Sequence, residues 1–306
     1  MRYYSVNQFF KNSFGQKVYK LALDGGFTCP NRDGTLSDKG CVFCLEGSGH
    51  FSEKTCDDIN LAFEKAKNRV KAKTDASLFA AYFQSYTNTY APVQRLKNLF
   101  APLCERNDVA ALFIATRPDC LEDEKINLLC SLNEKKPVFI ELGLQTIHEK
   151  TAEYIRRGYP LCVYDDCVKR LKSHGLNVIT HVILGLPRED KKMMIETVKH
   201  VCDVKSDGIK LQLLHVLEGT DLACDWQKGL FQTLSLEEYA DILCDCVEVL
   251  SPEVVVHRLT GDAPKKFLLS PMWSADKKHV LNEINRSFEL RDVVQGKNFT
   301  KKTQCP

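Results

Sequence analysis

The sequence predicts an α/β fold, a partial or full (β/α) barrel of parallel strands. Three observations carry this. Short apolar, β-branched runs alternate with longer amphipathic segments. The runs are apolar on both faces, as strands covered by helices must be. No GxGxxG opens a helix after a strand, so an open dinucleotide-binding sheet is disfavoured. At 306 residues the chain can bury one large core of this kind.

The predicted strands are 18–24, 78–84, 109–116, 138–145, 178–184, 209–216 and 254–259. The predicted helices are 57–73, 92–105, 123–133, 164–174, 191–204 and 236–250. Helix-length segments between strands imply right-handed crossovers, which place an active site at the carboxyl ends of the strands. Cys29 follows the first strand, Gln84 to Asn88 the second, Thr116 to Asp119 the third, and Gln145 ends the fourth. Residues 1–16 read as an N-terminal extension, 17–262 as the barrel, and 263–306 as a C-terminal extension packed on it.

Hydrophobic residues make up 44% of the chain and charged residues 27%, the ordinary range for a folded soluble domain. There is no run of about 18 apolar residues and no signal-peptide pattern, so a cytoplasmic, membrane-free protein is expected. A reducing compartment excludes a disulfide framework for the 14 cysteines. Cys104, Cys130, Cys202, Cys244 and Cys246 fall in helical patterns and are expected to be buried. The net charge of +2 hides an asymmetry: residues 1–20 carry +4, residues 265–306 carry +5, and the stretch between sums to −7. Basic ends suit a phosphate-rich partner. Lys65, Lys67, Arg69, Lys71 and Lys73 add charge, but at about 100° per residue they spread around their helix.

Cys29, Cys41 and Cys44 stand in DGGFTCPNRDGTLSDKGCVFC with spacing C-x11-C-x2-C. A loop so rich in glycine and proline forms no regular element, and a metal can organise it. Two thiols separated by two residues can converge, and Cys29 can fold back to meet them. An iron–sulfur cluster fits three cysteines with one iron left open. A zinc site would need a fourth ligand, such as Cys56 or His50, and an inert loop needs no metal. The absence of GxxxxGK[ST] and HExxH argues against a P-loop nucleotidase and a zincin.

The cysteine segment resembles the motif of radical SAM enzymes, including an aromatic residue, Phe43, before the third cysteine. Its first gap exceeds the common C-x3-C-x2-C, and in this it resembles the YhcC-like family and the nearby Elongator catalytic-subunit branch. YFQSYTNTYAP (82–92) lies where the superfamily has its GGE-like segment, with Gln84 and Ser85 in the place that contacts the SAM amino group. ATRPDCL (115–121) resembles the TRPD segment of the Elongator-like branch, and ELGLQT (141–146), followed by Arg157, is similar to the strand-four motif of the coproporphyrinogen-type relatives. HVILGLPRED (181–190) is similar to the strand-five GxIxGLPGE motif, with Arg188 in place of a glycine. HRLTGDAP (257–264) and PMWSADKKHVLNEI (271–284) resemble C-terminal segments of the YhcC-like family.

The resemblance implies a [4Fe–4S] cluster on the three cysteines, with S-adenosyl-L-methionine (SAM) chelated at the open iron and cleaved reductively to a 5′-deoxyadenosyl radical. It also implies an electron donor such as flavodoxin or ferredoxin. Phe43 is then expected on the adenine, or as a plain loop anchor. Gln145 would bond the ribose or carboxylate, or bridge the barrel rim. Arg157 would pair with the SAM carboxylate, and His181 would bond the cofactor or satisfy the core. Glu141 shares a strand face with Gly143 and Gln145 by period-two alternation, so if that face is the lumen its carboxylate is paired or catalytic. Tyr86, beside the SAM pocket, is a substrate candidate. Relatives in this branch imply tRNA as partner, modified on the C5 side chain of the wobble uridine. A radical SAM enzyme acting on a small metabolite and a zinc-stabilised binding protein are the alternatives.

Overall fold

A computed structural model describes residues 2–45, 52–54 and 58–301. Its strands are β1 (Val18–Asp24), β2 (Glu53–Lys54), β3 (Leu78–Phe83), β4 (Val109–Thr116), β5 (Val138–Gln145), β6 (Asn177–Leu184), β7 (Gly208–Leu213), β8 (Val216–Leu217), β9 (Val255–Arg258) and β10 (Leu268–Ser270). The helices are α1 (Val6–Phe14), α2 (Ile59–Val70), α3 (Val93–Cys104), α4 (Asp123–Asn133), α5 (Glu149–Tyr154), α6 (Leu161–Ser173), α7 (Lys191–Asp203), α8 (Asp221–Gln227), α9 (Leu236–Val249) and α10 (Lys277–Leu290).

Eight strands form one sheet in the order β2-β1-β3-β4-β5-β6-β7-β9, every pairing parallel. The sheet curls without closing, and β2 and β9 are its edges, so the barrel is partial. The curl is visible in contacts across its concave side: Lys20 on β1 reaches Glu141 on β5 at 3.5 Å and His257 on β9 at 3.4 Å. Alternation sorts each strand. On β5, Val138, Ile140, Leu142 and Leu144 join the outer core under the helices, while Phe139, Glu141, Gly143 and Gln145 take the other face.

Periodicity in the N-terminal extension carries more than was expected of it. Ser5 caps α1 by accepting from the Gln8 amide, and Gly15 ends the helix at φ +70, where a side chain would be strained. Phe9 and Phe10 then pack edge-on against Phe139 and Phe113, which stack at 4.5 Å, so α1 fills the amino end of the lumen. At the other terminus α10 buries Val280, Ile284 and Phe288, and Arg291 pairs with Asp241 and Asp245 of α9. Gln295 ties the two ends together, accepting from the Tyr4 amide and donating to Ser251 and Val254 carbonyls.

Three expectations need correcting. The strand predicted over 209–216 leaves the sheet after Leu213, and Val216 turns into β8, antiparallel to β10. The break falls at His215, whose ring lies where a Cβ on residue 261 would be 2.9 Å away, so Gly261 makes room for it. Cys130 and Cys202 are half-buried, whereas Cys104, Cys244 and Cys246 are buried as expected. On α2, Lys67 is paired with Asp108 and Arg69 with Glu53, so those two charges are spent within the fold.

Candidate radical SAM site

The loop carrying Cys29, Cys41 and Cys44 crosses the carboxyl end of the sheet, and its own polar residues organise much of it. Amides of Arg32 and Asp33 donate to the Cys29 carbonyl, and the Gly40 amide donates to Asn31. The Asn31 side chain, buried, donates to the Arg156 carbonyl at 2.7 Å and approaches Cys41 Sγ at 3.5 Å. Arg32 donates to the carbonyls of Cys44 and Leu45 and lies 3.6 Å from Cys44 Sγ. Val42 plugs the loop into an apolar cluster with Ile155, Ile183, Leu186 and Leu222, and Phe43 packs on the same cluster.

The three thiols share one neighbourhood. Burial pushes the Cys41 thiol up to about 11, and its neighbours Cys44 and Cys29 add to the rise against the pull of Asn31 and Arg117. Iron binding at Cys41 would therefore release a proton. Among the described residues no three histidine, cysteine or carboxylate side chains form a group able to hold a single metal ion. Zinc needs its sulfurs at about 2.3 Å from one centre, whereas a cluster spreads three thiolates over three irons. His50 and Cys56, the expected completers of a zinc site, lie outside the described residues.

Polar atoms without partners mark the strand ends beneath this loop. Ser85 Oγ and Gln145 Oε1 are buried with no hydrogen-bond partner, an arrangement that a polar ligand would relieve. Gln145 takes a left-handed φ of 66°, and its amide folds back over Gly143, where a Cβ would stand 2.8 Å from Nε2. Gln84 donates to Ser52 at 3.2 Å. Tyr86 also has a left-handed φ, 56°, and the Arg32 guanidinium lies 5.7 Å from its ring. Asn88 is buried and donates to the Ser85 and Ala115 carbonyls, so it shapes the turn.

Arg157 follows α5. It is buried, and its guanidinium donates to the carbonyls of Thr146, Leu144 and Tyr159 and to Glu149. Those bonds position the loop after β5. Arg156 pairs with Asp221.

Glu141 does face the lumen, and it is paired. It accepts from Lys210, from His181 at 2.9 Å and from Lys20 at 3.5 Å. Burial alone would raise its carboxyl, but Lys210 and Lys20 hold it well below the usual range. Lys210 also donates to the Tyr82 hydroxyl at 2.9 Å. Burial lowers the Lys210 ammonium to about 7 and Lys20 to about 8 despite Glu141. His181 falls to about 4, from burial and then Lys210, so it is neutral; its Nδ1 lies 3.3 Å from Gln212 Nε2. This charged layer separates the aromatic plug below from the cysteine loop above. Sequence reasoning missed Lys20, Tyr82, Lys210, Gln212 and His257. Lys210 and Gln212 alternate in IKLQL as Glu141 and Gln145 do in their strand, the same signal. A cavity of about 1140 Å3 at the amino end of the strands, reaching Phe9, Phe139 and His257, is lined by none of Cys29, Cys41 and Cys44.

A curled parallel half-barrel with a three-cysteine loop over its carboxyl end is the architecture of the radical SAM fold. The superfamily's model matches residues 29–201, and that of the radical SAM C-terminal domain matches 206–289; the chain belongs to the radical SAM superfamily. It is 45% identical over 301 residues to the uncharacterized protein YtqA of Bacillus subtilis, covering 98% of this chain and 94% of that one. Protein YhcC of Escherichia coli is 36% identical, over 89% of this chain and 88% of its own length. A tRNA uridine(34) acetyltransferase of Methanocaldococcus jannaschii is 30% identical over 57% of this chain and 31% of the relative. Among solved structures, the Elp3 of Methanocaldococcus infernus superposes with a TM-score of 0.70 at 19% identity, covering 91% of this chain and 64% of that chain, a likeness of fold. The protein is thus a radical SAM enzyme, whose cofactors are a [4Fe–4S] cluster and SAM. Among the described residues no helix is long and apolar enough to cross a membrane.

Proposed function

We propose that Cys29, Cys41 and Cys44 hold the cluster and that the enzyme modifies the C5 side chain of a tRNA wobble uridine, such as carboxymethylaminomethyl, in the cytoplasm. The observation that carries the site is the three-thiol loop set over strand ends whose buried Ser85 and Gln145 oxygens lack partners. The cluster and SAM together supply a 5′-deoxyadenosyl radical. Phe43, Gln84, Ser85 and Gln145 would line SAM, and Tyr86 the path of the substrate. The chain's own residues exclude water from this reaction. α1 and its phenylalanines pack into the amino end, and the Lys20–Glu141–Lys210 layer floors the site.

Similarity to a tRNA uridine(34) acetyltransferase supports tRNA as the substrate. Twelve described cysteines, all free, fit the reducing cytoplasm, where flavodoxin or ferredoxin would supply the electron. The test compares tRNA nucleosides from a parent and a deletion strain by mass spectrometry. One wobble nucleoside should vanish and its precursor accumulate; identical profiles would refute tRNA as substrate.

A further inference from the structure

The charged floor of the lumen is unbalanced. Two ammonium groups, Lys20 and Lys210, share the single carboxylate of Glu141, and the two histidines beside them, His181 and His257, are held neutral by burial. The two lysines are not equivalent. Lys210 has 4% of its side chain exposed and is spent on Glu141 and the Tyr82 hydroxyl. Lys20 keeps 23% exposure, stands 3.5 Å from Glu141, donates to His257 Nδ1 at 3.4 Å, and lies 3.6 Å from the Phe113 ring centroid. Arg258, the next cation, has Asp262 at 3.7 Å, and Asp24 at the end of β1 accepts from the Gly26 amide. The excess positive charge therefore sits on Lys20, half in contact with an aromatic face and with a donor to spare.

We propose that the Lys20 ammonium receives a carboxylate of the substrate entering the lumen from the cysteine end, and so selects an anionic side chain over a neutral or cationic one. An ammonium that shares its only carboxylate with a second lysine suits a monoanion. A phosphate dianion would meet Glu141, which shares the same ammonium, and is disfavoured. The proposal rests on the reading above only in placing the substrate in this lumen.

Two arms test it. In the first, thermal melts of the wild-type protein are recorded with tens of millimolar sodium acetate or sodium phosphate replacing part of a common sodium chloride background at equal ionic strength, so that general salt effects stay small. Acetate should raise the midpoint by about 2 °C over chloride, phosphate should not, and Lys20→Met should abolish the shift. No acetate effect, an equal phosphate effect, or an effect that survives in Lys20→Met overturns the proposal. The wild-type comparison decides even where the variant does not fold. In the second arm, reconstituted enzyme is assayed on tRNA from the deletion strain. Lys20→Met should raise KM about tenfold or more with a smaller change in kcat, and Lys20→Arg should recover part of it; wild-type KM in Lys20→Met overturns the proposal. An acetate shift that depends on Lys20, with no turnover of tRNA by wild type, supports the site and sinks only the tRNA reading.

Discussion

Glu141 is the residue on which the lumen turns. Its side chain is fully buried between two lysines and a histidine, so replacing it leaves two buried ammonium groups without a counter-charge. Glu141→Gln should cost about 3–5 kcal/mol at pH 7 by denaturant titration. The sign with pH is specific. In the wild type the carboxyl is depressed, so its contribution is complete above the ordinary carboxylate range and disappears as the pH falls through the folded value. In the variant the lysines, already lowered to about 7 and 8, are lowered further. Its penalty is relieved as the pH rises toward the ordinary lysine value, because the unfolded chain then binds more protons than the folded one. Stability that climbs between pH 7 and 9 more steeply in Glu141→Gln than in wild type is the expected result; equal slopes would mean that the ammonium groups are not trapped. Gly143 is the second residue with a sharp consequence. Gly143→Ala should leave the barrel folded, since its Cβ meets only the end of the Gln145 side chain, yet displace that amide and weaken SAM binding about tenfold by equilibrium dialysis. Undiminished affinity would remove Gln145 from the SAM site.

At the scale of elements, the strands were legible and their irregularities were not. β1, β4 and β5 fall on the residues that alternation marks, because a parallel strand buried on both faces must be apolar throughout. The break after Leu213 could not be read, because it depends on the His215 ring meeting Gly261 in the distant segment after β9. α1 was missed because residues 1–16 read only as an N-terminal extension, and Phe9, Phe10 and Phe14 have nothing to pack against until the lumen they fill exists. Phe10→Ala should cost about 3–5 kcal/mol, read from urea melts, since Phe10 is 2% exposed against Phe113. A loss below about 1 kcal/mol would mean that the plug is dispensable. The cysteine loop follows the same logic. Its thiols were visible from spacing, but Asn31, which pins the loop to the Arg156 carbonyl, was not, since its partner is 125 residues away.

For the whole molecule, function and fold meet at one end of a half-barrel whose other end is packed by α1. The basic ends of the chain proved structural in part, with Lys20 inside the lumen and Arg2 tied to Asp292 and the Val293 carbonyl. Net charge alone could not separate such lysines from an RNA surface. The glutamate was found by alternation, yet its partners on β1 and β7 emerge only when the sheet curls and brings Lys20 and Lys210 to it. The central claim is that Cys29, Cys41 and Cys44 hold a cluster that makes this chain a radical enzyme, and anaerobic reconstitution of wild type and Cys41→Ala tests it most directly. Wild type should take up about four irons and four sulfides per chain and form 5′-deoxyadenosine from SAM under reduction, while Cys41→Ala stays folded, loses the cluster and forms none. A colourless wild type with stoichiometric zinc and no sulfide, or a Cys41→Ala variant that unfolds for want of a structural metal, would contradict it.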